Sequence, residues 1–353
     1  MSGSIPSSIG EKDSRLAGFC ASRSLDGVVL RRRSNMAWAT DGADFHCDTS
    51  STQGVATLLW TPKRKVVYTD VIEAPRLRAE EPLAGWEILQ TPWQDPPMAL
   101  PEGRFASDFP DDCLYELRAP LTAAEVERSR TLCRETAEVL ERVMSQDCKP
   151  GMTEWHLGGA VAGWLRDRGI LAHVCLVAAD ERVSRFRHPI PTSKKIEKLA
   201  MVAVCAQRHG LICTATRLVH FGPPSEDLKR RHAAVGAVNR ALHDATTVGS
   251  RWSDCLGAGV KAYEDAGYPD EWQLHHQGGP MGYEARDFKA TPTETRTVFP
   301  RQLVGWNPTV TGTKAEDTIL TPATPLPKGG CENLTDTGKW PRAANGACEI
   351  LVR

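Results

Sequence analysis

The feature that most constrains the fold is a spacing that occurs twice. Gly151 to Gly169 encloses the helical stretch TEWHLGGAVAGWLRDR, and Gly249 to Gly267 encloses a second helix of the same span. Each is preceded by a longer amphipathic helix, 122–144 in one case and 225–245 in the other, and each continues into apolar strands. In the first copy Thr122 and Glu125 form a capping box, and Val126, Leu132, Leu140 and Val143 recur at helical intervals. Gly169 stands where a left-handed C-cap is wanted. A helix–helix–strand–strand unit used twice predicts a pseudo-twofold domain, its two sheets meeting and its helices packed outside. Chance likeness of two helical hairpins is the alternative.

The duplication predicts two corresponding strand pairs, 201–221 and 302–320. The first, AVCAQRHGLICTATRLVHFG, turns at Arg208-His209-Gly210 and contains no Asp or Glu. Between the pairs lies LHHQGGPMGYEARDF, polar and glycine-rich beyond any packing need. Polar groups converging on facing hairpins make a candidate site. Cys205, His209 and Cys213 could be imagined as a soft-metal trio, but buried thiols and a turn histidine account for them more simply.

Ahead of the duplication, residues 1–13 are small and polar and are expected to be flexible. From Ser14 the pattern reads helix (RLAGFCASR), strand (DGVVLRR), a second strand containing Met36-Ala37-Trp38, a polar loop over 41–53, then strands GVATLLWT and KVVYTD. Prolines thicken between Glu80 and Pro120, which predicts an α/β domain over 14–115 and a second domain over 116–353. The length, 353 residues, exceeds what one hydrophobic core usually supports. A formal net charge of -1 gathers neither nucleic acid nor anionic membrane, so small-molecule partners are expected. The eleven cysteines include no CxxC pair and are odd in number, which predicts free thiols in a reducing cytoplasm. No leader-like segment and no long apolar run is present, so neither export nor membrane anchoring is expected.

The order HPIPTSKKI, a hairpin closing in ATR, HHQGGPMGY, a WNP strand and a final KAEDTIL resembles the pita-bread superfamily of creatinase, prolidase, aminopeptidase P and methionine aminopeptidase. Residues 14–115 resemble the creatinase-type N-terminal domain, so the likeness spans nearly the whole chain. It implies an α+β fold with a C-terminal pita-bread domain. In the metallopeptidase members two divalent ions are held by Asp, Asp, His, Glu and Glu. The corresponding positions here are Ala203, Thr214, His276, Asn307 and Glu316. One imidazole and one carboxylate are too few for a dinuclear centre of hard cations, so no metal and no other cofactor is expected.

Creatinase is the branch that works without metal, with a histidine before the first hairpin as acid and base and a glutamate on a cationic substrate. The resemblance implies those roles for His188, in RFRHPIP, and for Glu316, with His276 polarising the scissile group in place of a metal. Imidazole suits proton transfer near neutrality. His275, the alternating neighbour of His276, is expected to face away, as is Asp317 beside Glu316. Tyr283 and Arg286 are candidates for a substrate carboxylate, since a guanidinium matches it bidentately; ion pairs with Glu284 or Asp287 are the alternative. Arg217 is expected to orient acidic groups or to bridge to Glu316 or a backbone carbonyl. Glu181 and Arg182, on the loop to His188, and His46 with Asp44, in the loop that creatinase-like dimers extend toward the partner's site, are further substrate-binding candidates. The resemblance thus implies a homodimeric, metal-independent hydrolase or lyase that cleaves a C–N bond in, or rearranges, a small carboxylated amine, amide or guanidino compound. An Xaa-Pro-type metallopeptidase with a rebuilt site, or a non-catalytic ligand- or peptide-binding protein, is the alternative.

Overall fold

The computed structural model of the protein describes residues 8–326 and 330–353. Two units emerge from the pattern of internal contacts: one runs to Glu127 and takes in His209–Leu211, the other holds Arg128–Arg208 and Ile212–Arg353.

The first unit contains helix α1 (Ile9–Arg23), strand β1 (Gly27–Arg32), α2 (Arg33–Ala39), β2 (Gln53–Trp60), β3 (Lys65–Asp70), α3 (Ala74–Glu80), β4 (Glu87–Thr91), β5 (Phe105–Ser107) and α4 (Tyr115–Arg118). Its five strands are ordered β4-β3-β2-β1-β5. Two expectations fail here. Of the segment expected to be flexible, residues 1–7 lie outside the described residues, but Ile9 to Asp13 open α1. Lys12 holds them, fully buried with its ammonium 2.9 Å from Asp41 and 2.8 Å from Glu125. The strand expected around Met36-Ala37-Trp38 is helix α2, with every residue from Ser34 to Ala39 buried. A short apolar run does not distinguish strand from helix by period. The Asp108 carboxylate decides the matter: it accepts the backbone N–H groups of Arg31 (2.8 Å) and Arg32 (3.0 Å), and the amide of Asn35 at 3.0 Å. Donors that a longer strand would pair along a ladder are thereby taken by one side chain, and the chain turns into a helix.

The long helix α5 (Ala123–Arg142) starts at the expected capping box, where the Thr122 N–H donates to Glu125 Oε2 (2.8 Å) and the Glu125 N–H to Thr122 Oγ1 (3.3 Å). There follow α6 (Glu154–Arg166), β6 (Leu171–Ala179), α7 (Glu181–Arg185), β7 (Leu199–Arg208), β8 (Leu211–His220), α8 (Glu226–Ala245), α9 (Trp252–Asp265), β9 (Gly278–Met281), β10 (Leu303–Trp306), β11 (Thr309–Val310), β12 (Thr313–Lys314), β13 (Asp317–Leu320), β14 (Glu332–Asn333) and β15 (Leu351–Val352). The β7–β8 turn has both His209 (φ 52°) and Gly210 (φ 77°) in the left-handed region, the arrangement that suits a two-residue hairpin.

Hydrogen bonding carries the duplication down to single atoms. The α6 end is closed by the Ile170 N–H on the Leu165 carbonyl, and the α9 end by the Tyr268 N–H on the Tyr263 carbonyl; both bonds lie across a glycine of positive φ, Gly169 or Gly267. The two starts are clasped alike. Gly151 donates to Ile196 and Glu154 to Lys194, while Gly249 donates to Val298 and Trp252 to Arg296. Two four-stranded sheets result, ordered β15-β8-β7-β6 and β14-β13-β10-β9, while β11 and β12 pair with each other. They meet where the Thr216 N–H donates to the Glu316 carbonyl (3.0 Å) and the Thr214 N–H to Thr318 Oγ1 (2.8 Å). Trp252, Tyr263 and Trp306 form the core beneath the second sheet, and the Trp306 indole donates to Thr246 Oγ1 at 2.8 Å. β9 lies against β10 so closely that a Cβ on Gly278 (φ 112°) would sit 2.2 Å from the Gly305 carbonyl oxygen.

Candidate active site at the seam of the two sheets

Strand alternation sorts the residues where the sheets meet into two layers. Thr216 and Glu316 turn to one side, and the Thr216 hydroxyl donates to Glu316 Oε2 at 2.7 Å. Arg217 and Asp317 turn to the other, 3.0 Å apart and nearly inaccessible to solvent. Arg217 also donates to the carbonyls of Thr216 and Thr335, both at 2.9 Å. Its charge therefore serves Asp317, whose carboxyl burial would raise but Arg217 and Arg342 hold at about 2. Asp317 faces away from Glu316, as alternation requires.

The first layer opens on a cavity of about 290 Å³. β6 and β7 contribute an apolar wall of Val174, Leu176, Ala203 and Cys205, and the far side is polar: His188, His276, Arg286, Asn307, Lys314 and Glu316. Five of the sequence-selected residues thus come together, His188, His276, Arg286, Asn307 and Glu316, joined by Lys314, which sequence reasoning missed. Lys314 and Glu316 are two apart in an extended segment, so they share a face; that spacing was the available signal.

Among the described residues Glu316 is the sole acid lining this cavity, and both its oxygens are engaged. Lys314 Nζ lies 3.2 Å from Oε2, and Arg286 Nη2 lies 3.2 Å from Oε1. Lys314 and Glu316 are each 5 % exposed, so this charge cluster is desolvated. Burial alone would raise the Glu316 carboxyl, but Lys314, Arg286 and the Thr216 hydroxyl outweigh it and hold it below its ordinary value.

Two imidazoles, His188 and His276, line the cavity, and a third, His275, is buried against them. His188 Nε2 and His275 Nε2 are 3.1 Å apart, so one donates to the other. The His275 and His276 rings stack with centroids 4.4 Å apart and 25° between planes. His275 does not face away as alternation led us to expect. Alternation governs paired strand residues, and β9 begins only at Gly278. Burial, and then nearby cations, push His275 down to about 2 and His276 to about 3, and His188 is lowered for the same reasons. All three are neutral at pH 7.

The remaining candidates lie elsewhere. Tyr283 is fully buried and does not line the cavity. Glu181 is solvent-facing, 3.2 Å from Lys194. Arg182 pairs with the buried Glu154 at 2.9 Å. His46 is in the first unit, its Nδ1 against the Asp44 carboxylate. All eleven cysteines are free, and burial pushes the Cys205 thiol up to about 12; no thiolate nucleophile arises there at neutral pH. No helix among the described residues is long and apolar enough to cross a membrane.

A pair of divalent ions does not fit the residues present. Ala203 offers a methyl group, and the Thr214 hydroxyl, fully buried, points at Met281 Sδ at 3.7 Å. Asn307 offers a neutral oxygen. The one carboxylate already has two cations on it. With an effective dielectric near 20, each contact at 3.2 Å is a gross attraction of about 5 kcal/mol, so the pair supplies about what one dication at that distance would. A metal there would meet a neutralised carboxylate and two repelling charges.

Among curated proteins none matches this chain in sequence. Solved structures do match in shape. The Xaa-Pro dipeptidase from Bacillus anthracis aligns with TM-score 0.74 at 17 % identity, covering 98 % of this chain and 100 % of its own. The recombinant prolidase from Thermococcus sibiricus aligns with TM-score 0.78 at 15 % identity, covering 99 % and 100 %. The N-terminal domain of FACT complex subunit SPT16 from Cicer arietinum (chickpea) aligns with TM-score 0.69 at 12 % identity, covering 94 % and 97 %. At such identities the likeness establishes the fold, the pita-bread architecture expected from the sequence. The sequence model of metallopeptidase family M24 matches residues 127–322, more than half of the chain, and the protein belongs to that family, within the creatinase and aminopeptidase P superfamily.

Proposed function

We propose that the protein cleaves a C–N bond in a small carboxylated amine, amide or guanidino compound without a metal ion. One observation carries this reading: Lys314 and Arg286 bracket Glu316, putting protein charges where the family would put metal. His188, at the solvent-facing mouth of the cavity and neutral, takes a proton from water and returns one to the leaving nitrogen, so that water is added across the broken bond. His276 orients the scissile group. His276 also faces the charge that develops on its oxygen, Lys314 and Arg286 hold the substrate's carboxylate, and a desolvated site strengthens these interactions. The same reading keeps the expected cytoplasmic location and homodimer, which fractionation and light scattering test.

A direct test combines elemental analysis with turnover. Protein purified without added ions should carry no stoichiometric manganese, cobalt or zinc, and amide or peptide hydrolysis should persist in chelator and disappear in His188→Ala. Two equivalents of tightly held metal, or activity that a chelator removes, would overturn the reading. A second reading, an Xaa-Pro-type peptidase with a rebuilt centre, is favoured by the histidines: His188, His275 and His276 each offer a ligand atom, all within 4.8 Å of one another. Two of those rings are stacked nearly parallel, so their in-plane lone pairs do not converge, and Lys314 and Arg286 oppose a dication nearby. Retention of one zinc per chain, lost on His275→Ala, would select this second reading.

A further inference from the structure

From the polar groups of the cavity we infer the charge state of the substrate: it is a monoanion whose nitrogen is acylated and uncharged, an N-acyl amino acid or close analogue, and neither a zwitterionic dipeptide nor a guanidino acid. The inference rests on the small-molecule reading above and narrows it.

Charge comes first. Lys314 and Arg286 stand against the single carboxylate of Glu316, so the ion-paired groups of the lining sum to one positive charge in excess. A buried excess charge is costly, and a ligand carboxylate removes that cost. An ammonium or guanidinium on the ligand finds nothing equivalent. Both oxygens of Glu316, the sole acid lining the cavity among the described residues, are already within 3.2 Å of a protein cation, and Oε2 also accepts from Thr216.

Hydrogen bonding makes the same selection. Three buried polar atoms of cavity-lining residues have no partner among the described residues: Arg286 Nε, Asn307 Oδ1 and His276 Nδ1. Arg286 Nε is a donor, Asn307 Oδ1 an acceptor, and His276 Nδ1 either, according to tautomer. An acylated amino acid supplies the complement: a carboxylate for the guanidinium, an amide N–H for Asn307 Oδ1 and an amide carbonyl for the protonated His276 Nδ1. Its hydrocarbon side chain then meets the wall of Val174, Leu176, Ala203 and Ala285. Sites that pair a substrate's polar groups discriminate strongly against analogues that leave buried groups unpaired.

Isothermal titration in the presence of chelator tests this with two probe series: N-acetyl-L-leucine, L-leucine and N-acetyl-L-leucinamide, and the three corresponding phenylalanine compounds. At least one acetylated acid should bind about tenfold or more tightly than its parent zwitterion and its neutral amide, the difference an unpaired buried charge makes. Lys314→Gln should remove that preference. Asn307→Asp, which adds a negative charge to the lining, should reverse it in favour of the zwitterion and so gives a readout beyond loss of binding. Equal or tighter binding of a free amino acid by the unaltered protein, or saturable binding of neither acetylated acid up to the millimolar range, would overturn the inference. Hydrolysis separates it from the reading beneath it. Selective binding of acetylated acids with no His188-dependent cleavage of either would leave the inference standing and remove the proposed reaction. Metal-free, His188-dependent cleavage of zwitterionic dipeptides would do the reverse.

Discussion

Replacing Lys314 by methionine keeps most of the apolar stem and removes one of the two cations on Glu316. In the native protein the ammonium lies 3.2 Å from Oε2, and both residues are 5 % exposed. The gross Coulomb attraction is about 5 kcal/mol at an effective dielectric near 20, part of which is offset by the cost of burying the ammonium. Breaking one side of a buried pair usually costs about 3–5 kcal/mol, because the surviving charge is stranded. Glu316 keeps Arg286 and the Thr216 hydroxyl, which places the expected loss at the lower end, about 3 kcal/mol at pH 7. The pH dependence is the sharper signature. Glu316 is held below its ordinary value in the folded state, so its contribution is fully present above the unfolded pKa, about 4.3, and is lost as pH falls through the folded one. The gap between native and Lys314→Met protein should therefore narrow from pH 7 toward pH 3 as Glu316 takes up a proton. Urea unfolding followed by tryptophan fluorescence measures it, with Trp252 and Trp306 in the core beside this sheet as reporters. A gap below about 1 kcal/mol at pH 7, the scale of a surface pair, or one unchanged across that pH range, would refute the desolvated-pair argument.

Other consequences follow from the same geometry. Asp317→Asn should destabilise by about 3–5 kcal/mol in denaturant titration, since it strands the buried Arg217. With its carboxyl held at about 2, the native Asp317 contribution should be complete above pH 4 and disappear as pH falls toward 2, whereas the Asn variant should show no such step. Gly278→Ala would force a Cβ to 2.2 Å from the Gly305 carbonyl at a left-handed φ; calorimetry should find a large drop in Tm, and a Tm within a degree or so of native would contradict the close approach of β9 and β10. Ser225→Ala removes the hydroxyl that accepts the Leu228 N–H at the start of α8 and should cost about 1 kcal/mol in urea unfolding. Thr153, ahead of α6, likewise accepts the His156 N–H; Thr153→Ala should cost about the same.

What could be read from the sequence was whatever is local and periodic. The paired glycines fixed the two helical hairpins because a left-handed C-cap leaves few alternatives to glycine, and Thr122 with Glu125 marked the start of α5 to the residue. Alternation separated Glu316 from Asp317 correctly, being a property of strands alone. It misled at His275, which precedes the paired part of β9, and a short apolar run misled at α2, where Asp108 captures the backbone donors. Lys314 went unnoticed although its spacing from Glu316 was in plain view. The reason is that ion pairing depends on which side chains a sheet junction brings together. Only the fold reveals that Arg286, thirty residues earlier, reaches the other oxygen of the same carboxylate.

The bracket on Glu316 has one more implication. A coordinated ion is a guest: its occupancy follows the supply outside, and starvation or competition can empty its place. The counter-charges at Glu316 are side chains of the polypeptide itself, so their local concentration is set by the backbone and stays constant for as long as the fold lasts. On the metal-free reading proposed above, such a pocket would be complete when translation and folding end, in metal-poor surroundings as in rich ones.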